Sequence, residues 1–114
     1  MSIRRIEPGH RMSAAVVHGN TVYLAGQVGN PGDDVIAQTK TVLSEIDRLL
    51  AEAGSDKSKI LQATVWLADM KDFGAMNAVW DTWVDPANKP ARATGESKLA
   101  GPEYFVEIIV IAAI

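Results

Sequence analysis

A chain of 114 residues has room for one domain built on a single core. Its 11 Lys and Arg are scattered among 14 Asp and Glu, which argues against the clustered basic footprint of a nucleic-acid binder. There is no cysteine, so disulfides, thiol catalysis and thiolate metal sites are excluded.

Taken in chain order, Ile3 to Glu7 predicts a short strand ended by Pro8-Gly9. Ala15 to His18 and Thr21 to Ala25 flank Gly19-Asn20, the pattern of two strands joined by a tight hairpin. Gly29 to Gly32 breaks the chain, and Asp33 or Asp34 is placed to cap a helix. Val35, Thr39, Val42, Leu43, Ile46, Leu49, Leu50 and Ala53 then repeat at the spacing of one buried helical stripe, with Gly54 as the stop. Ile60 to Leu67 reads as a strand with Leu61, Ala63, Val65 and Leu67 on one face. Asp69 or Asp72 is placed to cap a second helix, whose stripe is Phe73, Met76, Trp80, Trp83 and Val84. Pro86 and Pro90 bracket its exit, Ala91 to Lys98 is a fifth strand, and Tyr104 to Ile114 is a sixth.

The order β-β-β-α-β-α-β-β over residues 1–114 predicts one α+β domain, with two helices on one face of a six-stranded mixed sheet. The last strand breaks this simple picture. Phe105, Glu107, Ile109, Ile111 and Ala113 alternate with Val106, Ile108, Val110, Ala112 and Ile114, so both faces are apolar except for Glu107. Such a strand is normally covered on both sides, yet two helices cover only one face. A second subunit, in a closed symmetric oligomer, is the expected cover for the other. The terminal apolar run is about half a membrane span and the N-terminus lacks the apolar core of a signal peptide, which predicts a cytoplasmic protein without membrane partners.

A carboxylate inside such a strand must be paired, protonated or put to use. Glu107 is therefore either half of a structural ion pair or a group able to hold or activate a water. Arg92 begins a strand with a small-residue face, Ala91, Ala93, Gly95 and Ser97, and a polar one, Arg92, Thr94, Glu96 and Lys98. A guanidinium beside a hydroxyl on one strand suits a carboxylate ligand, and a solvated surface arginine fits the same pattern. Asn77 falls on the apolar stripe of the second helix, where its amide needs partners. His10 sits in a loop and reads as plain surface; it and His18 stand too far from any acidic cluster to suggest a metal. Trp66, Trp80 and Trp83 read as core or interface filler, and no phosphate-binding glycine loop is present.

Five segments together resemble the RidA (YjgF) family: Val22 to Gln27, Ala63 to Asp69, Asp72-Phe73 through Met76-Asn77, Pro90 to Thr94, and Val106 to Ile108. The likeness runs in matching order over nearly the whole chain. It implies a chorismate-mutase-like fold and a homotrimer whose three sheets form a central barrel, with ligand sites between subunits. It also implies hydrolysis of reactive enamines and imines, such as 2-aminoacrylate, to 2-oxo acids and ammonia without a cofactor. By position, Arg92 matches the arginine that grips the substrate carboxylate, and Glu107 the glutamate that places the attacking water. Thr94 stands where many members have cysteine or serine, Asn77 matches an asparagine near the cleft, and Gly26 a turn of the family motif.

Three positions depart from the family pattern. Met12-Ser13 replaces a loop tyrosine, so Met12 would line the pocket. Ala25 replaces a serine, and Gly95 follows Thr94 where a larger residue is common. They mark a divergent subgroup with an altered pocket wall. Two other functions are compatible with the family: a binding protein that senses 2-oxo acids through Arg92, and a ribonuclease, which the acidic charge disfavours.

Overall fold

The chain folds as β1 (Ile3–Pro8), β2 (Ser13–His18), β3 (Thr21–Leu24), β4 (Gln27–Val28), α1 (Val35–Glu52), β5 (Ile60–Leu67), α2 (Phe73–Trp83), β6 (Ala91–Glu96) and β7 (Val106–Ala113) in the computed structural model, which describes all of residues 1–114. The strands form one sheet in the order β1-β2-β3-β7-β5-β6, and β4 pairs with β7. β5 and β6 are parallel, linked through α2, and the other pairs are antiparallel, so the sheet is mixed. Both helices pack on one face of it, and 21 buried hydrophobic residues form the core between.

Local chemistry accounts for the boundaries. The β2–β3 hairpin turns on two residues, because His18 pairs with Thr21 and Gly19 adopts φ +62°, which costs a glycine little. Asp34 caps α1 by accepting a hydrogen bond from the Ala37 amide at 2.8 Å. Gly54, at φ +84°, ends the helix. Between those limits Thr39, Val42, Leu43, Ile46, Leu49 and Leu50 are buried as the stripe predicts, and Gln38 is buried with them.

Three expectations are corrected. The sheet has seven strands, not six, because the run from Thr21 does not stay in register. Tyr23 faces Ile111 but Gln27 faces Ile108, so four steps on one side match three on β7, and a bulge at Ala25-Gly26 splits off β4. A second irregularity between Ile60 and Gln62 turns Leu61 to solvent, 53% exposed, although simple alternation places it beside Ala63. Asp69 caps a short 3-10 turn (Met70–Asp72), and the helix that follows buries Met76, Val79 and Trp80 while leaving Phe73 exposed.

The alternation of β7 is reproduced side chain by side chain. Val106, Ile108, Val110 and Ala112 face the helices and are fully buried, which favours folding by about 1.5–3 kcal/mol for each of the larger ones. Glu107, Ile109, Ile111 and Ala113 face the other way and remain partly exposed. No element of this chain covers that face. No helix is long and apolar enough to cross a membrane.

Candidate functional site

β6 is an edge strand, and its register decides where Arg92 points. Arg92, Thr94 and Glu96 lie beside Ala63, Val65 and Leu67, which are fully buried beneath the helices. The polar side of β6 therefore turns toward the helix layer, not toward open solvent. The Arg92 guanidinium stacks over the Trp80 ring at 5.1 Å, and Nη1 lies 3.9 Å from Met76 Sδ. Arg92 and Trp80 line a cleft of about 540 Å³ together with Asp81, Lys89 and Pro90. Burial pushes the Arg92 pKa down and the nearby Asp81 charge partly opposes it, while no carboxylate comes within ion-pair distance. Arg92 thus remains a cation that has lost part of its water and gained no anion. Next to it, Thr94 Oγ1 is buried without a hydrogen bond, and Asn77 follows Met76 on α2.

Glu107 occupies the opposite face. Its lateral neighbours are Val28 on β4 and Trp66 on β5. Its carboxylate presses on Gly26, where a Cβ would lie 2.1 Å from Oε2, so only glycine leaves room for it. Gly95 gives space in the same way, since a Cβ there would meet the Trp66 ring at 3.1 Å. The Ala25 amide bonds to Ala14 of β2, which brings the β1–β2 turn and its exposed Met12 to the sheet end that holds Gly26. The Glu107 carboxylate takes no hydrogen bond or ion pair from its own chain.

The predicted residues thus fall into two groups. Arg92, Thr94 and Asn77 lie on the helix side of the sheet edge, and Glu107, Gly26 and Met12 at the other face or its rim. Within one chain the two groups face apart, because Arg92 is in register with Ala63 and Glu107 with Trp66, and residues three apart on β5 lie on opposite faces. His10 is exposed in the β1–β2 turn. Two further residues emerge from the fold. Trp80 is the platform for Arg92, and Gln38 is a buried amide bonded to the segment that leads into β7. Gln38 stands next to Thr39 on the α1 stripe, and a glutamine there is the signal that reveals it. A second cleft, of about 530 Å³ between Asp69–Asp72 and Lys98–Phe105, contains none of the predicted groups.

A family model described as endoribonuclease L-PSP matches residues 2–114. The chain belongs to this family. Within it, a RutC family protein of Haemophilus influenzae is 50% identical over 114 residues, covering 98% of each chain. The RutC family protein YoaB of Escherichia coli is 45% identical over the full length of both. A 2-iminobutanoate/2-iminopropanoate deaminase of mouse is 35% identical over 108 residues, 88% of this chain and 78% of that protein. Among solved structures, a YjgF-family protein of Neisseria meningitidis superposes with a TM-score of 0.97 at 45% identity, covering 99% of this chain and 95% of that one. The L-PSP fold is accordingly the one described above, two helices on a mixed sheet.

Proposed function

We propose that this L-PSP family member hydrolyses small carboxylate-bearing imines, and the enamines from which they form, to 2-oxo acids and ammonia. The sites lie between subunits of a homotrimer. The observation that carries this reading is Arg92, a partly desolvated guanidinium held flat on Trp80 without an anion. A planar cation so prepared receives a carboxylate as a two-pronged fork. The mouse relative, a 2-iminobutanoate/2-iminopropanoate deaminase, supports the reaction class.

The two-sided arrangement supports the subunit boundary. Arg92 and Glu107 of one chain face apart, so one substrate meets both only when Arg92 comes from one subunit and Glu107 from the next. The uncovered sheet face, with Tyr23, Ile109 and Ile111 around Glu107, supplies apolar area for that contact. Arg92 orients the substrate carboxylate, and the Thr94 hydroxyl beside it donates to the same group. Glu107 holds a water against C2 of the imine and takes a proton as the oxygen bonds to carbon. That proton passes to nitrogen to give the carbinolamine; its hydroxyl proton then moves to nitrogen as the C2–N bond breaks and the C2–O double bond forms, so ammonia leaves and the 2-oxo acid remains. The gain is proximity plus fixed charge, and no step needs a cofactor.

The test generates 2-iminopropionate and 2-iminobutyrate in situ and follows their loss by semicarbazide trapping. Acceleration by the parent and its loss in Arg92→Ala are expected; equal rates for the two would refute the clamp. Mixing Arg92→Ala and Glu107→Gln subunits, each with only a small residual rate, after mild dissociation is expected to restore part of the activity. No recovery in demonstrably mixed trimers would place both groups in one subunit's site.

A further inference from the structure

We infer that Gln38 is a positioning residue for Glu107, an inference that rests on Glu107 being the water-holding carboxylate of the proposed reaction. Gln38 is fully buried and each polar position of its amide is used. Nε2 donates to the carbonyls of Asp33 at 2.9 Å and Glu103 at 2.7 Å, and Oε1 accepts from the Phe105 amide at 2.9 Å. Two carbonyls and one N–H fix the orientation of the amide, since a flipped one would set a donor against a donor.

Gln38 touches both flanks of Glu107, by hydrogen bonds on one side and by packing on the other. On its own strand, Phe105 is held by Gln38 through N–H and by the Ala68 amide through its carbonyl at 3.1 Å, two residues before the carboxylate. On the neighbouring strand Val28 pairs with Glu107, and the next residue, Gly29, lies directly on the backbone of Gln38. A Cβ at Gly29 would sit 2.6 Å from Gln38 Cα and 2.9 Å from its carbonyl oxygen. The Glu103 carbonyl also accepts from the Gly32 amide at 3.2 Å, so one side chain ties α1, the 29–33 loop and the lead into β7 into a single frame. Arg92 stands outside this frame: it lies on the helix side as Gln38 does, but on the edge strand β6, with β5 between it and β7, and no hydrogen bond of Gln38 reaches it.

A catalytic carboxylate has to be held to about 0.5 Å by residues whose own positions are locked. Gln38→Leu keeps the approximate size and removes all three bonds. Gln38→Glu keeps the acceptor for Phe105 and loses both donors, which provides a second variant should the leucine protein fail to fold. Both are compared with the parent and in a Glu107→Gln background. The expected result is a kcat lower by about 10- to 100-fold with KM within about threefold, because the bonds of Gln38 lead toward Glu107 and none leads to Arg92. No further loss is expected in the Glu107→Gln background. Equal losses in both backgrounds, or a fall that tracks the folded fraction, would show a purely structural role. The side-chain carboxyl resonance of Glu107, identified by its absence in Glu107→Gln, is read by carbon-13 NMR. It is expected to shift or broaden in the Gln38 variants while the other glutamates stay in place. An unmoved resonance overturns the inference. If the parent itself does not hydrolyse imines, the proposed function fails and the NMR result still decides the role of Gln38.

Discussion

Replacing Gly26 by alanine probes Glu107 without touching its chemistry. Gly26 does not adopt a left-handed φ, so the backbone accepts alanine, and the whole effect comes from one methyl group. That methyl would lie 2.1 Å from Glu107 Oε2, 2.9 Å from Cδ and 3.2 Å from Cγ, against 3.4 Å for ordinary contact. The obstacle is the end of a flexible, half-exposed side chain, which yields by rotating at a cost of about 0.5–1.5 kcal/mol. The carboxylate then retreats by more than about 1 Å, a misplacement that lowers kcat on the order of 100-fold. KM changes little, because Arg92 lies on the other face. Urea unfolding and imine-trapping kinetics on the same preparation separate the two effects. A kcat within about threefold of the parent, in a protein of parental stability, would refute the claim that the place of this carboxylate matters. A loss above about 3 kcal/mol in unfolding would show instead that Glu107 is locked and the backbone has to move.

Gly29→Ala meets backbone atoms of Gln38 at 2.6 and 2.9 Å, which cannot rotate away. It is expected to cost about 1–3 kcal/mol in urea unfolding, more than Gly26→Ala. Ile46→Ala removes a fully buried side chain from α1 and is expected to cost about 2–5 kcal/mol, with KM unchanged in the protein that remains folded. The Glu7 carboxyl is held below its ordinary 4.5 mainly by its hydrogen bond to Arg48. A depressed folded-state pKa contributes stability that is present above about 4.5 and lost as pH falls through the folded value. Glu7→Gln is therefore expected to reduce the difference between urea midpoints at neutral and acid pH; an unchanged difference would show the pair to be inert.

Periodicity carries much of this architecture, and the exceptions have physical causes. The α1 stripe is legible because one face of a regular helix meets one core. The alternation of β7 is legible for the same reason, including the odd position of Glu107. Bulges are not legible. The extra residue near Gly26 and the one at Leu61 shift the phase of a strand without changing its composition, so Leu61 reads as core and lies in water. The site is legible as residue types and not as geometry. Nothing in the spacing from Arg92 to Glu107 tells which way two strands turn, and the parallel pairing of β5 with β6 settles it. Trp80 illustrates a further limit, since a core tryptophan and a platform for a guanidinium have the same helical spacing.

The polar groups inside the molecule divide by whether their own chain satisfies them. Gln38 bonds through both its donors and its acceptor to three backbone groups in two segments, and a satisfied buried amide fixes a fold. Thr94 Oγ1 is buried without a partner, Arg92 is partly desolvated without an anion, and Glu107 faces an apolar sheet without a donor. The first two lower the stability of an isolated chain, because desolvation is incurred and no bond returns it, whereas Glu107 keeps part of its contact with water. A fold selected for stability alone would replace them with apolar groups of similar shape. Their presence on two faces of one sheet, beside Tyr23, Ile109 and Ile111 that this chain leaves uncovered, is what the site proposed between two copies of the chain requires.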